Sequence, residues 1–278
     1  LILAGGGHSI SNGEEFIIKA EHLLKDKNET GYAGIAPYDS LERTLLHAVN
    51  HAEQFEANNS SMAPSCFMLI TGDISGDNTP ESYQHFIALM DKYVDRANIA
   101  WFVLAGNHDN NAHFETYLGD KQLNSDNPLT FQNWHIHGMD TRALDSTYTA
   151  AGEVKGGEIH DLTQAVAQLP DNNHLIALHH HILPSNSWMD KHFLANAEAL
   201  VSLTEQYAQI KALIHGHVHS PLRQLIGENS TPSYGCPSTC WQWEMQLAFG
   251  VSNDAPGYQV IELHEDGVVD VSIERVEH

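Results

Sequence analysis

Residues 66–75 read CFMLITGDIS. The run from Cys66 to Thr71 reads as a short buried strand, and Gly72-Asp73 closes it. Glycine lets the backbone turn sharply there, and the aspartate is delivered at the strand's carboxyl end. The same ending recurs along the chain. Residues 99–105, IAWFVLA, run into Gly106-Asn107-His108-Asp109. Residues 174–179, HLIALH, end on His179 and are followed by His180-His181. KALIH, 211–215, runs into Gly216-His217-Val218-His219, and LILA, 1–4, into three glycines and His8. In open α/β sheets, ligands bind outside the carboxyl ends of the strands. Strands ending this way bring His8, Asp73, Asn107, His108, His179, His217 and His219 to one rim.

Outward from these strands, helical periodicity is expected in 14–26, 40–56, 80–95 (with Pro80 in the first turn) and 192–208. WHIHGM (134–139) reads as a further strand. YQVIELH and VVDVSIERV, separated by Glu265-Asp266-Gly267, read as a closing hairpin. Strands alternating with helices and an antiparallel pair at the end predict a mixed α/β sheet fold. No repeat, low-complexity block or linker interrupts the chain, so 1–278 is read as one domain.

The charge balance narrows the partners. Thirteen Lys+Arg against 36 Asp+Glu give −23. That argues against a nucleic-acid backbone or an anionic membrane, both of which call for a basic patch. An anionic small substrate then needs bound cations to reverse the local field. No apolar run is long enough to span a bilayer, and the first residues lack the charge and apolar core of a signal peptide. The chain opens on Leu rather than Met, as a trimmed chain would. With three cysteines, reduced thiols in a cytoplasmic protein are expected; Cys236 and Cys240 are close enough in sequence to pair but lack zinc-ribbon partners.

Imidazole suits zinc, iron and manganese, while carboxylate and amide oxygens suit harder ions. A mixed set of this size is too large for one ion. Two divalent cations sharing a carboxylate is the economical reading, and such pairs are the usual apparatus for hydrolysing phosphate esters. A single Gly-Asp or His-x-His is far more often a turn or a surface feature; four such motifs in order, each after an apolar run, are not. Among the remaining histidines, His180, His181 and His215 are expected to line the pocket or pack. His22, His47, His51, His85, His113 and His192 lie in or near helical stretches and read as solvated faces. No Ser or Cys nucleophile motif and no phosphate-binding P-loop is present.

This pattern resembles the calcineurin-like metallophosphoesterases, and more narrowly their bacterial cyclic-AMP phosphodiesterase branch. The narrower likeness rests on GDISGDNTPESYQHF, WMDKHFLANAEAL, PSTCWQW and GYQVIELHEDG. The resemblance implies a four-layer αββα sandwich with a two-metal centre of Fe, Mn or Zn. Asp73 would bridge both ions. Asn107, His179 and His217 would complete one, and His8 and His219 would bind the other. His108 would face the scissile phosphate as acid or charge stabiliser, while hydroxide generated from water at the metals attacks a phosphodiester such as 3′,5′-cyclic AMP. Substrate choice would lie with residues near 180–196 and 236–243.

One position departs from that family. Its first strand ends in Asp-x-His, and in the frame of His8 the aspartate position is Gly6. Asp109, Glu14 and Glu15 are the carboxylates considered for the gap. Three readings follow: an enzyme with a labile first metal, a one-metal enzyme, and a relative that binds without turnover. Within hydrolysis, glycerophosphodiesters or a monoester are the alternative substrates.

Overall fold

The computed structural model describes residues 15–18, 23–58, 67–143 and 150–277. Two sheets organise them. The first has the order β13-β12-β1-β2-β3, with β1 (Glu15–Ile18), β2 (Phe67–Ile70) and β3 (Ala100–Val103) parallel. The antiparallel hairpin of β12 (Gly257–Leu263) and β13 (Val269–Arg275) extends it past β1. The second has the order β4-β5-β6-β7-β9-β8. Here β5 (Trp134–Gly138), β6 (Asn173–Leu178), β7 (Ile210–His215) and β9 (Thr231–Gly235) run parallel, while β4 (Leu129–Phe131) and β8 (Arg223–Ile226) are antiparallel edges.

The alternation of side chains along each strand explains the layering. On β2, Phe67 and Leu69 enter the core between the sheets, together with Leu175, Ala177, Ala212 and Ile214 of the second sheet. Met68 and Ile70 point the other way, onto α1 (Pro37–Asn58) and α2 (Pro80–Met90). Helix α1 buries Leu41, Leu45, Ala48, Val49 and Ala52, one face of a 3.6-residue period. On β6, Ile176 and Leu178 pack with Leu162 and Val166 of α3 (Gly156–Gln168) and Leu200 and Leu203 of α4 (Glu198–Gln206). Three apolar seams therefore separate helices, sheet, sheet and helices: the expected αββα sandwich.

The strand-rich reading of the sequence holds for β2, β3, β5, β6, β7 and the closing hairpin, whose turn has Gly267 at φ +88°. Two expectations change. Residues 15–18 are a strand and not the start of a helix over 14–26, because Glu15–Ile18 fills a slot between β2 and β12, pairing on both sides. The helix expected from 192 begins at Glu198; residues 188–192 form a 3₁₀ turn, and Leu194 bridges Gly152. Residues 1–14, with LILA, Gly6 and His8, lie outside the described residues, as does Cys66. Cys236 and Cys240 are buried thiols, not a disulfide.

β5 carries a polar surprise. Trp134 and Ile136 enter the inter-sheet core, while His135 and His137 alternate onto the opposite face. The rings of His135, His174 and His137 stack with centroids 5.3 and 5.2 Å apart, and His137 Nε2 lies 2.9 Å from His174 Nδ1. Burial, with the neighbouring His174 adding to it, depresses His137 to about 4. A depressed histidine contributes stability that is present above the unfolded value of about 6.5 and is lost as pH falls towards the folded value. Glu158, raised to about 7 by burial, acts in the opposite sense across much of the same window. Urea unfolding between pH 7 and 4 should therefore show wild type losing up to about 3 kcal/mol more than His137→Gln over that range. Parallel curves would contradict it.

Candidate metal centre

The parallel strands bring their carboxyl ends together, and the site is built on the residues that follow. After β2, the Thr71 carbonyl accepts a hydrogen bond from His179 Nδ1 at 2.7 Å. A carbonyl has no proton to give, so Nδ1 of His179 carries one, and in the neutral ring Nε2 presents a lone pair. Around that nitrogen stand Asp73 Oδ2 at 3.1 Å, Asn107 Oδ1 at 3.1 Å and His217 Nδ1 at 3.2 Å. One proton on Nε2 satisfies one of these neighbours. A cation among them satisfies all four donors at once, and the N/O set matches first-row divalent metals. The residues fit a metal ion.

Backbone conformation at these positions is also unusual. Asp73, His217 and His219 adopt φ of 57°, 66° and 45°, in the left-handed region, each at a cost of about 1–3 kcal/mol that the surroundings must hold. Gly72 has φ +100°, and a Cβ there would lie 2.6 Å from Gly106 N and 2.7 Å from His179 Nδ1. Gly106 is pressed against Asp73 so closely that any side chain would collide with its carboxylate. The two glycines let the ends of β2 and β3 approach each other at the ligand positions.

His219 lines the same cavity as Asp73, with its Nδ1 held by the Trp241 carbonyl at 2.9 Å and its ring stacked on Trp243 at 4.6 Å. That bond leaves Nε2 as the nitrogen suited to a metal. His108 lines the cavity half-buried, and its backbone N–H donates to Asp73 Oδ1 at 3.0 Å. Asp73 thus has one oxygen on each side.

One nitrogen each of His179, His180 and His217 falls within 4.8 Å of the others. His180 is nonetheless a poor ligand. Its Nε2 donates to the Ala150 carbonyl at 3.2 Å, and Nδ1 pairs with Thr141 Oγ1 at 2.7 Å. Burial and the adjacent His179 push its pKa well down, keeping it neutral. His181 and His215 are buried beside it, as packing residues.

Asp109, considered for the first-metal gap, is not among the residues that line the cavity. It is fully buried and accepts from the backbone N–H groups of Gly106, Ile74 and Ser75 at 3.0–3.1 Å and from Tyr83 Oη at 3.0 Å. It is the clamp that folds the Gly-Asn-His-Asp turn against the Gly-Asp-Ile-Ser turn. Arg142 secures the same turn from outside, reaching the Asp109 carbonyl at 3.2 Å while paired with Asp140.

The donors open into a cavity of about 320 Å³. Its far wall is aromatic: Tyr32, Trp188, Trp243 and Phe249, with Met189 and His192. His192, expected on a solvated helical face, lies instead at this wall, because the segment carrying it is a 3₁₀ turn. Trp188, His192 and Trp243 fall within the segments expected to set substrate choice. Tyr32 and Phe249 do not, and no local signal in the sequence marks them.

Comparison with known proteins now gives the family. Residues 36–221 match the family model described as calcineurin-like phosphoesterase. The chain belongs to the calcineurin-like phosphoesterase family. Over 75% of its length it is 32% identical to a 3′,5′-cyclic-nucleotide phosphodiesterase of Nostoc sp., covering 76% of that protein. Over 92% of its length it is 28% identical to the 3′,5′-cyclic adenosine monophosphate phosphodiesterase CpdA of Escherichia coli K12, covering 86% of it. A dimetal phosphatase from Danio rerio has the same fold, with a TM-score of 0.58 at 13% identity over 95% of this chain and 99% of that one. The protein is thus a metallophosphoesterase related to bacterial cyclic-AMP phosphodiesterases. Among the described residues, none of its helices is long and apolar enough to cross a membrane.

In this calcineurin-like phosphoesterase, Asp109 is the residue whose role can be tested without metal. Burial and the charge of Asp73 raise its pKa, against the pull of the backbone N–H groups. Asp109→Asn puts an amide N–H₂ where N–H donors already point, and should cost about 1–3 kcal/mol in denaturant unfolding of the metal-free protein at pH 7. Unchanged stability would mean that Asp109 is held as the neutral acid and is no anionic clamp.

Proposed function

We propose that the chain is a metal-dependent phosphodiesterase acting on 3′,5′-cyclic AMP. The observation that carries the reading is the convergence of Asp73, Asn107 and His217 on one nitrogen of His179, in a chain whose relatives over most of its length are named as cyclic-nucleotide phosphodiesterases. Asp73, Asn107, His179 and His217 would hold one divalent ion, with Asp73 shared and His219 on the second. Such ions supply positive charge for the phosphodiester and lower the pKa of bound water. The chain's own contribution is to orient and to move a proton. His108, on the turn whose backbone is fixed through Asp73 and Asp109, lies in the cavity where it can protonate or stabilise the leaving oxygen.

The position of β1 offers a second candidate for the first-strand ligand. Ile18 pairs with Ile70 of β2, and Leu23 is hydrogen-bonded to Ile74 and Gly76, on either side of the segment 19–22. His8 comes before β1 in the chain, whereas His22 comes after it. This supports His22, in Ala20-Glu21-His22, as the histidine of the family's Asp-x-His, in place of His8. The aspartate is still missing, with Ala20 at its position. That gap is the specific observation behind the second reading, a relative that binds nucleotide without turnover.

Metal analysis and hydrolysis of cyclic AMP with added Mn(II) test the function. His108→Ala should cut turnover roughly 10²–10⁴-fold with metal content unchanged. His22→Ala should lower metal stoichiometry while His8→Ala does not, and the reverse result would restore His8. Ala20→Asp should raise metal stoichiometry and activity at limiting Mn(II). A folded, metal-loaded protein with no hydrolysis of any phosphodiester would leave the binding-only relative.

A further inference from the structure

Exposed aromatic side chains are uncommon, and here they are gathered. Among the described residues, Tyr32 (49% exposed) and Phe249 (55%) are the aromatic members of the exposed large hydrophobic set, and both line the cavity over the metal donors. Their rings lie 5.9 Å apart. Trp188 stands edge-on to Phe249 at 5.0 Å and to Trp243 at 5.5 Å, and Tyr32 edge-on to Trp243 at 5.3 Å. These four come from three separate segments, so no single loop explains the gathering. Trp243 is on β10 (Gln242–Trp243), which pairs with β11 (Val251–Ser252) to form a small hairpin with Phe249 in its loop. Trp188 opens the 3₁₀ turn after β6 and is tied to that hairpin, its backbone N–H donating to the Gln246 carbonyl at 2.8 Å and its Nε1 to the Glu244 carbonyl at 3.2 Å. Tyr32 sits on a 3₁₀ turn ahead of α1. The wall is braced before anything binds.

Among the described residues, the cavity lining contains no lysine or arginine. With a protein charge of −23, the positive charge that this described lining offers to a substrate comes from histidine and bound ions. That suits a phosphodiester with one negative charge better than a monoester with two. At about 320 Å³ the cavity is at the small end of ligand pockets, the size of one mononucleotide and too small for a polymer segment. A glycerol substituent has no ring to stack and wants hydrogen-bonding groups, whereas this wall presents ring faces and edges.

We propose that Tyr32, Trp188, Trp243 and Phe249 form a stacking subsite for the purine base of the substrate, which sets the preference for nucleotide phosphodiesters over those with small polar alcohols. The proposal rests on the phosphodiesterase reading and assigns its substrate-selecting residues. Stacking reads the π-face that every base has, and not the hydrogen-bonding edge. The subsite should therefore accept adenine and guanine alike.

The test measures equilibrium binding of 5′-AMP, 5′-GMP and inorganic phosphate to the metal-loaded protein. The variants are Trp188→Ala and Phe249→Ala; Trp243 is left intact because it also packs on His219. Each should weaken 5′-AMP and 5′-GMP by about tenfold to a hundredfold. Phosphate affinity and metal content should not change. With cyclic AMP as substrate, KM should rise with little effect on kcat. Equal weakening of nucleotide and phosphate, or no weakening, would overturn the subsite, as would wild-type affinities for the two nucleotides differing by more than about a hundredfold, the mark of hydrogen-bond readout. An inactive protein that still binds 5′-AMP through these rings would refute the phosphodiesterase reading alone.

Discussion

His179 gives its Nδ1 proton to the carbonyl of Thr71, and the rim of the protein is organised by that bond. It joins the two sheets, since Thr71 follows β2 and His179 follows β6. It also fixes the tautomer, so that the other nitrogen faces an aspartate, an asparagine and a second histidine with a lone pair. Buried lone pairs at about 3 Å repel unless something positive sits among them. The left-handed backbone at Asp73 and His217 belongs to the same economy, because strain of that kind persists only where the surrounding structure over-determines it. Fold and site are thus coupled: the inter-sheet core sets the distance between the strand ends, and the strand ends hold the donors.

The chemistry expected from such a site depends on charge reversal. The chain is strongly acidic, and the cavity has Asp73 and four histidines but no fixed cation in its described lining. Metal held by Asp73, Asn107, His179 and His217 would supply the attraction for phosphate. The aromatic wall would supply the remainder of the binding surface, so that the two act on different parts of one ligand. Asp109 belongs to neither. It joins the two ligand-bearing turns through their backbone N–H groups, and so keeps Asn107 and His108 in place beside Asp73.

Most of this was legible in the sequence for a physical reason. Buried parallel strands are continuous apolar runs, and a ligand at a strand end stands next to a glycine or a polar residue that breaks the run. Asp73, Asn107, His108, His179, His217 and His219 all carry that mark, and the structure gathers them. The sequence offers two first-strand candidates, and the reading took one of them. LILA followed by glycines and His8 has the same outline as EFII followed by KAEH; the pairing of Glu15–Ile18 with β2 and β12 favours the second, and LILA lies outside the described residues. The role of Asp109 was equally hidden, since an acid beside a histidine looks like its partner until the backbone donors around it are seen. Tyr32 and Phe249 were illegible because their meaning lies in where distant turns meet. The edge strand β8, largely exposed, and its neighbour β9, short and carrying Pro232, have no apolar run to betray them.

The most direct measurement is anomalous diffraction from crystals of the full chain grown with Mn(II). A peak within roughly 2.0–2.3 Å of Asp73, Asn107, His179 Nε2 and His217 is the expected result. A metal bound instead through His180, or none at saturating Mn(II) with His179 Nε2 turned away from Asp73, would contradict the coordination argued from the Thr71 bond.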